Sequence, residues 1–285
     1  MNKRMAKDTA YWESQYNNRA AVPDHPQYFA RWAERSEAAR RSLRCHLDVP
    51  YGTHAMEKMD IFLAQGRSRA LLLFIHGGYW RALDKKDHSF VAAELVKRGV
   101  TVAVANYALC PAVTVEDIVR QMLQACAWLH RNGGHFGAPY GNLYVSGHSA
   151  GGHLTAMMMA ALWPSFARDL PRKVVHGGLA ISGVYDLRDV PNVPSINNDV
   201  RLTSAQAVKV SPLFLPPATD APLSLAAGGR ELPPFVEQNR ALAARWKKVL
   251  AEDIPCPDDQ HFSILEKLVD PSSALFRGAL KMMGL

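Results

Sequence analysis

The sequence predicts an α/β fold built on a doubly wound, mostly parallel sheet. Short apolar runs alternate along the chain with longer amphipathic stretches, as strands and helices do in such folds. The runs are almost continuously apolar, which strands buried on both faces require. The predicted strands are 70–75, 100–105, 143–145, 174–181 and 222–226, and the predicted helices are about 113–131, 150–162, 233–250 and 263–282.

The length and composition indicate a single domain, 1–285. The chain has 285 residues, of which 48% are hydrophobic and 21% are charged, enough for one substantial core. Within residues 1–45, the helical spacing of Trp, Tyr, Arg and Ala from residue 9 onward predicts an N-terminal helical arm. Residues 186–217 interrupt the alternation with five prolines, so we expect this irregular insertion to form a lid or cap over the site.

The positive charge of the chain does not form a nucleic-acid-binding pattern. The formal net charge is +7, but the Lys and Arg residues are scattered apart from a cluster between Arg31 and Arg44. A solvated helix face explains that cluster best. We therefore expect no nucleic-acid partner, while the basic balance favours an anionic small-molecule substrate.

The cysteines and the N-terminus favour a soluble, cytoplasmic protein. The four cysteines lie far apart without a C-x-x-C pair, so we expect reduced thiols and neither a disulfide framework nor a zinc site. No apolar run is long enough to span a bilayer, and no apolar segment follows the charged N-terminus. A homodimer is the ordinary expectation for a cytoplasmic enzyme of this size.

A candidate nucleophile lies in Gly147-His-Ser-Ala-Gly151, which matches G-x-S-x-G. The bare pattern also occurs by chance as an ordinary glycine-rich turn. Here it follows a predicted strand and precedes a predicted helix, as a nucleophile elbow must, and the glycines leave room for a very tight turn. We therefore predict that Ser149 is the nucleophile, presented at the carboxyl end of the sheet.

A candidate oxyanion hole follows the strand 70–75. The segment His76-Gly-Gly-Tyr-Trp80 stands where lipases and esterases carry an HGGG-type loop of amide donors. The predicted donors are the amides of Gly78, Tyr79 and Ala150. Chain order makes His76 a residue that braces this loop rather than the catalytic base.

The substrate pocket is predicted around the same two motifs. Tyr79, Trp80 and His148 flank the expected position of the nucleophile and are its candidate lining. The two aromatic rings of the donor loop can equally pack into the core.

The base is predicted to follow the last strand, because the order in this fold is Ser, acid, His. Of the histidines well downstream of Ser149, His176 falls in a predicted strand, whereas His261 lies in a loop before a helix. His261 is therefore the predicted base. His148 and His153 flank the nucleophile too closely for this role, and their spacing is not that of a zinc site.

The acid is expected just after the strand 222–226. Glu231 is the carboxylate that occurs there before the next helix begins. Asp258 and Asp259 are alternatives, since they lie beside His261 in sequence, although aspartates in that position more often cap the following helix.

These motifs resemble the arylformamidase (kynurenine formamidase) branch of the α/β-hydrolases, which is related to the hormone-sensitive-lipase-like esterases. His76-Gly-Gly-Tyr-Trp80 is similar to the HGGxW signature of that branch. The segments 48–52, 106–111 and 261–266 are similar to its recurrent segments, and the resemblance runs from about Tyr16 to the C-terminus. Many relatives carry Asp after the Gly-Gly pair, where this chain has Arg230 followed by Glu231.

The resemblance implies an α/β-hydrolase fold and a serine hydrolase that cleaves a small N-formyl aryl amide, such as N-formylkynurenine, without a metal or other cofactor. Two alternatives remain open. A carboxylesterase acting on short-chain or aryl esters would use the same residues. A noncatalytic hydrolase-fold binding protein is favoured only by Arg230 in the usual place of the acid.

Overall fold

An eight-stranded sheet forms the centre of the molecule in the computed structural model, which describes residues 8–285. In chain order the strands are β1 Cys45–Pro50, β2 Lys58–Phe62, β3 Ala70–Ile75, β4 Val100–Ala105, β5 Leu143–His148, β6 Gly178–Ile181, β7 Leu223–Gly228 and β8 Leu250–Cys256. Their order across the sheet is β1-β2-β4-β3-β5-β6-β7-β8. β2 is antiparallel to both of its neighbours, and the other strands pair in parallel. This topology confirms the predicted α/β-hydrolase architecture.

Three strands were not predicted, and one predicted strand is too long. β1, β2 and β8 carry charged side chains and lie at or near the edges of the sheet, so they lack the continuous apolar run of a central strand. The predicted strand 174–181 starts only at Gly178, where pairing with both neighbouring strands begins. The prediction that His176 lies in a strand is therefore wrong, because this residue belongs to the loop that precedes β6.

The helices cover both faces of the sheet. They are α1 Thr9–Tyr16, α2 Asn18–Ala21, α3 His25–Ser42, α4 Ala92–Leu95, α5 Val115–Asn132, α6 Ala150–Met159, α7 Trp163–Phe166, α8 Pro194–Val200, α9 Ser204–Lys209, α10 Pro233–Arg245, α11 Ser263–Lys267 and α12 Ala274–Met282. The insertion 186–217 is more regular than expected, since it contains α8 and α9. The predicted helix 263–282 is divided in two around Pro271.

Alternate residues of the central strands enter two hydrophobic clusters. In β3, Leu71, Leu73 and Ile75 pack on the side of α5, α6 and α10, whereas Leu72 and Phe74 pack on the side of α3, α4 and α12. Every residue of β3 is buried, and so is every residue of β4. Burial of one such leucine side chain stabilises the fold by about 2 kcal/mol, which explains why the central strands are apolar on both faces.

Helices α1 to α3 form the N-terminal arm. Trp32 of α3 is 1% exposed and packs in the second cluster, with its ring 6.0 Å from that of Phe90. The outer face of α3 carries the arginine cluster, where Arg31 pairs with Glu266 and Arg41 pairs with Glu37. Within residues 8–285, none of the helices has the length and apolar character needed to cross a bilayer.

Trp32 also packs against a buried histidine, His88. The two ring centroids are 5.7 Å apart, and the ring of a second histidine, His76, stacks on that of His88 at 5.5 Å. Nδ1 of His88 donates to the backbone oxygen of Asp84 at 3.0 Å, and its Nε2 has no partner among the described residues. Burial lowers the pKa of His88 to about 3, so this ring is neutral in the folded protein.

We expect the free energy of unfolding to fall as the pH drops below about 6.5, the ordinary pKa of histidine. The unfolded chain then binds a proton at His88 that the folded chain excludes, which costs about 1.4 kcal/mol per pH unit down to the folded pKa. His88→Phe keeps a planar ring in the stack and cannot titrate. Its urea midpoint should therefore fall less steeply than that of the wild type between about pH 6 and pH 4.

His135→Gln is the matched control, because His135 is exposed in the folded protein. Its urea midpoint should decrease with falling pH at the same rate as that of the wild type. Identical slopes for His88→Phe and the wild type would contradict the assignment of acid sensitivity to His88.

Candidate active site

The serine of the G-x-S-x-G segment occupies the turn between β5 and α6. Ser149 has φ 57° and ψ −118°, in a region that residues with a side chain rarely adopt. Its amide donates to the backbone oxygen of Ile181 at 2.9 Å. Such strain persists only where the surroundings impose it, and here the strained residue lies directly after the carboxyl end of β5.

The atoms that hold Ser149 in this conformation are backbone atoms packed against two glycines. A Cβ on Gly151 would lie 1.9 Å from the oxygen of Ile75, and a Cβ on Gly147 would lie 2.3 Å from the oxygen of Gly151. Neither position has room for any other residue. The glycines of the motif therefore let β3, β5 and α6 approach closely enough to fix the turn.

The structure brings together three side chains that the sequence placed far apart. His261 Nε2 lies 3.0 Å from Ser149 Oγ, and His261 Nδ1 lies 2.6 Å from Glu231 Oε2. A carboxylate only accepts hydrogen bonds, so Nδ1 carries the hydrogen and Nε2 accepts from the serine hydroxyl. All three side chains are nearly or fully buried.

Glu231 is fixed by two further donors. Its Oε1 accepts hydrogen bonds from the Ser182 hydroxyl at 2.5 Å and from the Gly228 amide at 2.6 Å. Ser182 directly follows β6 and Gly228 ends β7, so neighbouring strand ends hold the carboxylate. The sequence alone did not indicate this role for Ser182.

The two alternative acids do not contact His261. Asp258 has an 86% exposed side chain and meets Arg230 at 3.5 Å. Asp259 accepts from the Ser263 hydroxyl at 2.9 Å. The expectation that these residues cap the next helix is also wrong, since α11 has no side-chain cap.

His148 supports His261 from the other side. Its Nε2 donates to the backbone oxygen of His261 at 2.7 Å, and the two ring centroids are 4.8 Å apart. Burial, followed by repulsion from His261, holds the pKa of His148 well below its usual range. A neutral ring therefore fixes the loop that carries His261.

The loop that contains Gly78 and Tyr79 lies against Ser149. Both residues have positive φ, at 103° and 50°, and a Cβ on the preceding Gly77 would lie 3.1 Å from the Cβ of Ser149. Among the described residues, the amides of Gly77, Gly78 and Tyr79 have no hydrogen-bond acceptor. Ala150 is the first residue of α6, so its amide lacks an acceptor within the helix. The three amides that the sequence suggested as oxyanion donors are thus free to bind an acceptor, and so is that of Gly77, which the sequence analysis did not name.

His76 braces this loop from below. Its Nδ1 bonds to the Gly77 oxygen at 2.8 Å and its Nε2 lies 3.2 Å from Asn106 Oδ1. The ring of Tyr107 stacks on it at 4.3 Å. His76 is fully buried and does not contact Ser149.

Trp80 is not a wall of the pocket, contrary to one of the two possibilities left open by the sequence. Its ring is fully buried, and its Nε1 donates to His153 Nδ1 at 3.2 Å. His153 Nε2 donates in turn to the Val210 oxygen at 2.7 Å, and burial lowers the pKa of His153 to about 4. The positive φ of Trp80 turns the indole into the core, where this neutral histidine links the donor loop to the insertion 186–217.

A cavity of about 400 Å³ opens above Ser149. Tyr79 and His148 line it, as the sequence suggested. The insertion 186–217 contributes Ser195 and Ile196, while the N-terminal arm contributes a larger share. The arm residues in the wall are Tyr16, Asn17, Asn18, Arg19, Ala20, His25, Phe29 and Trp32.

Hydrogen bonds fasten the arm to this position. Tyr79 Oη donates to the backbone oxygen of Tyr16 at 2.7 Å, and Tyr16 Oη donates to Asp189 at 2.8 Å. The Ser195 amide donates to Glu13 Oε1 at 2.7 Å. The arm, the donor loop and the insertion are thus connected around the cavity. The aromatic and basic composition of the arm was the available signal for its role, but that composition does not specify which side of the sheet the arm covers.

Within residues 8–285, no group of three or more His, Cys, Asp or Glu side chains is arranged to hold a metal ion. The four cysteines are free thiols.

Known proteins similar to this chain are hydrolases. The sequence model of the BD-FAE family matches residues 59–206. The kynurenine formamidase of Danio rerio is 31% identical over 99% of this chain and 98% of its own length. That of Drosophila melanogaster is 30% identical over 77% of this chain and 75% of its own length. Esterase LipQ of Mycobacterium tuberculosis is 29% identical over 56% of this chain and 44% of its own.

Solved structures agree with the fold. A protein of Silicibacter sp. TM1040 superposes with a TM-score of 0.82 at 32% identity, covering 92% of this chain and 96% of its own. An esterase of Pyrobaculum calidifontis superposes with a TM-score of 0.69 at 16% identity, covering 93% of each chain, which supports the fold alone.

Proposed function

This chain belongs to the kynurenine formamidase family of α/β-hydrolases, and we propose that it hydrolyses a small N-formyl aryl amide, such as N-formylkynurenine, through a serine acyl-enzyme. The observation that carries this proposal is the unbroken chain of hydrogen bonds from Ser149 through His261 to Glu231, at the floor of an aromatic cavity. The relatives with which the chain aligns over nearly its full length support the choice of substrate.

In the first half-reaction, His261 Nε2 takes the proton of Ser149 as the serine oxygen attacks the formyl carbon. The carbonyl oxygen becomes an oxyanion facing the free amides of the donor loop and Ala150. When the C–N bond breaks, His261 returns the proton to the departing arylamine. A formate ester of Ser149 remains.

In the second half-reaction, water replaces the amine. His261 removes one proton from the water, which attacks the ester, and that proton returns to Ser149 as formic acid leaves; the acid then releases the second proton of the water to solvent and becomes formate. Glu231 keeps the hydrogen on Nδ1 throughout and stabilises the imidazolium that forms twice in each cycle. His148 keeps the loop of His261 in place without adding a competing charge, because its own ring is neutral.

A carboxylesterase is the second candidate function. The match to Esterase LipQ favours it, and the same residues would perform the same two steps on an ester. The third possibility, a noncatalytic binding protein, depended on Arg230 in the place of an acid. Its support is weakened because Glu231, one residue later, contacts His261.

A fluorophosphonate should add once to the wild-type protein, because Ser149 is paired with a base. We expect intact-protein mass spectrometry to show one adduct on the wild type and none on Ser149→Ala. Ser165→Ala, which removes an exposed serine, should retain the adduct. An unlabelled wild-type protein would favour the noncatalytic binding protein.

The ratio of kcat/KM for N-formylkynurenine to kcat/KM for p-nitrophenyl acetate separates the two hydrolase functions. We expect the formamide to be the better substrate, although its amide bond is intrinsically less reactive than the activated ester. Both activities should disappear in Ser149→Ala. A large preference for the ester would contradict the proposed formamidase function and support the carboxylesterase function instead.

Glu231→Gln should lower kcat by roughly 10³- to 10⁴-fold, as the loss of a triad acid does elsewhere. The amide cannot hold His261 in the required tautomer, and the circular dichroism spectrum should stay that of the wild type. Asp258→Asn is the matched control and should keep kcat near the wild-type value. The reverse pattern would show that Asp258 is the acid.

A further inference from the structure

The cavity above Ser149 combines aromatic walls with positive charge. Five of its lining residues are Phe, Tyr or Trp, namely Tyr16, Phe29, Trp32, Tyr79 and Phe262. Two arginines also line it, Arg19 and Arg81, and no Asp or Glu is among the lining residues described. An aromatic molecule with negative charge is the class of ligand that fits such a site.

Only one of the two arginines has a carboxylate partner among the described residues. Arg81 Nη1 pairs with Asp199 Oδ2 at 2.7 Å. Arg19 forms no ion pair within residues 8–285, and its guanidinium lies 5.5 Å from the ring centroid of Phe29. Partial burial and then repulsion from Arg81 lower the pKa of Arg19, but an arginine keeps its charge near neutral pH. The cavity therefore holds one uncompensated positive charge.

A second unused donor lies beside Arg19 in the sequence. Asn18 lines the same cavity and is 4% exposed, and its Nδ2 has no acceptor among the described residues. A buried donor without an acceptor costs about 1–3 kcal/mol. Both Asn18 and Arg19 lie in α2, which follows the anchored Tyr16 after a single residue. Both residues line the cavity, so a negatively charged acceptor bound beside α2 would complement this part of its wall.

We propose that Asn18 and Arg19 form a subsite for the carboxylate of an aromatic carboxylate substrate. A carboxylate carries one negative charge and two coplanar oxygens, which match the planar donor face of a guanidinium. The inference rests on the proposed function, because the carboxylate belongs to the arylamine that Ser149 releases. It assigns recognition of that leaving group to the N-terminal arm.

The test compares N-formylkynurenine with its carboxamide, which keeps the formamide and the ring but removes the negative charge. In the wild type, kcat/KM should be higher for the acid than for the carboxamide. In Arg19→Gln, the ratio of the two values should fall by about tenfold to a hundredfold, the range expected for loss of a hydrogen bond to a charged group. Arg19→Lys should give an intermediate ratio.

Arg120→Gln is the matched control, because it removes one positive charge from the exposed face of α5, where Arg120 pairs with Glu116. Its ratio should equal that of the wild type. A ratio that stays unchanged in Arg19→Gln would overturn the subsite, and so would an equal fall in Arg120→Gln.

Binding without chemistry separates the subsite from the proposed reaction. Calorimetry on Ser149→Ala should show tighter binding of kynurenine than of its carboxamide, and Ser149→Ala/Arg19→Gln should lose that difference. If this difference is present while the wild type leaves N-formylkynurenine intact, the subsite stands and the proposed hydrolysis fails. If hydrolysis occurs but the difference is absent, the subsite fails and the proposed hydrolysis stands.

Discussion

The close backbone contact at the turn that carries Ser149 is the constraint on which the candidate site depends. Three segments, the ends of β3 and β5 and the start of α6, meet with no space for a side chain at Gly147 or Gly151. This contact imposes the positive φ of Ser149. It also positions the donor loop, because that loop begins directly after Ile75, whose oxygen touches Gly151. One packing contact between main chains thus sets the positions of Ser149 and of the loop beside it.

The parts of the site that follow from strand order could be predicted from the sequence. Ser149, Glu231 and His261 each follow a strand of a parallel sheet, so their side chains meet at one edge even though up to 112 residues separate them. Trp80 could not be placed, because a motif does not specify whether an aromatic ring faces the cavity or the core. Its partner His153 was visible four residues after Ser149, but nothing in the spacing indicated a hydrogen bond to an indole.

The edge strands and the covering segments were the least predictable features. β8 pairs on one side only and carries charged residues, so its pattern lacks the apolar run that identifies β3 and β4. The spacing of its residues made the arm recognisable as helical, yet its place over the cavity depends on single contacts such as that of Tyr79 Oη with the Tyr16 oxygen. Contacts between a side chain and a distant backbone atom leave no periodic signal in a sequence.

The arm occupies one continuous stretch of chain ahead of every strand. The machinery around Ser149 comes from strand ends and the loops that follow them, whereas much of the cavity wall comes from residues before β1. Substitutions in that stretch would change the surfaces that line the cavity, whereas the backbone pairing of the sheet involves none of its residues. The shape of the cavity can therefore change through this stretch alone, provided that the hydrogen bond between Tyr79 Oη and the Tyr16 backbone oxygen is kept.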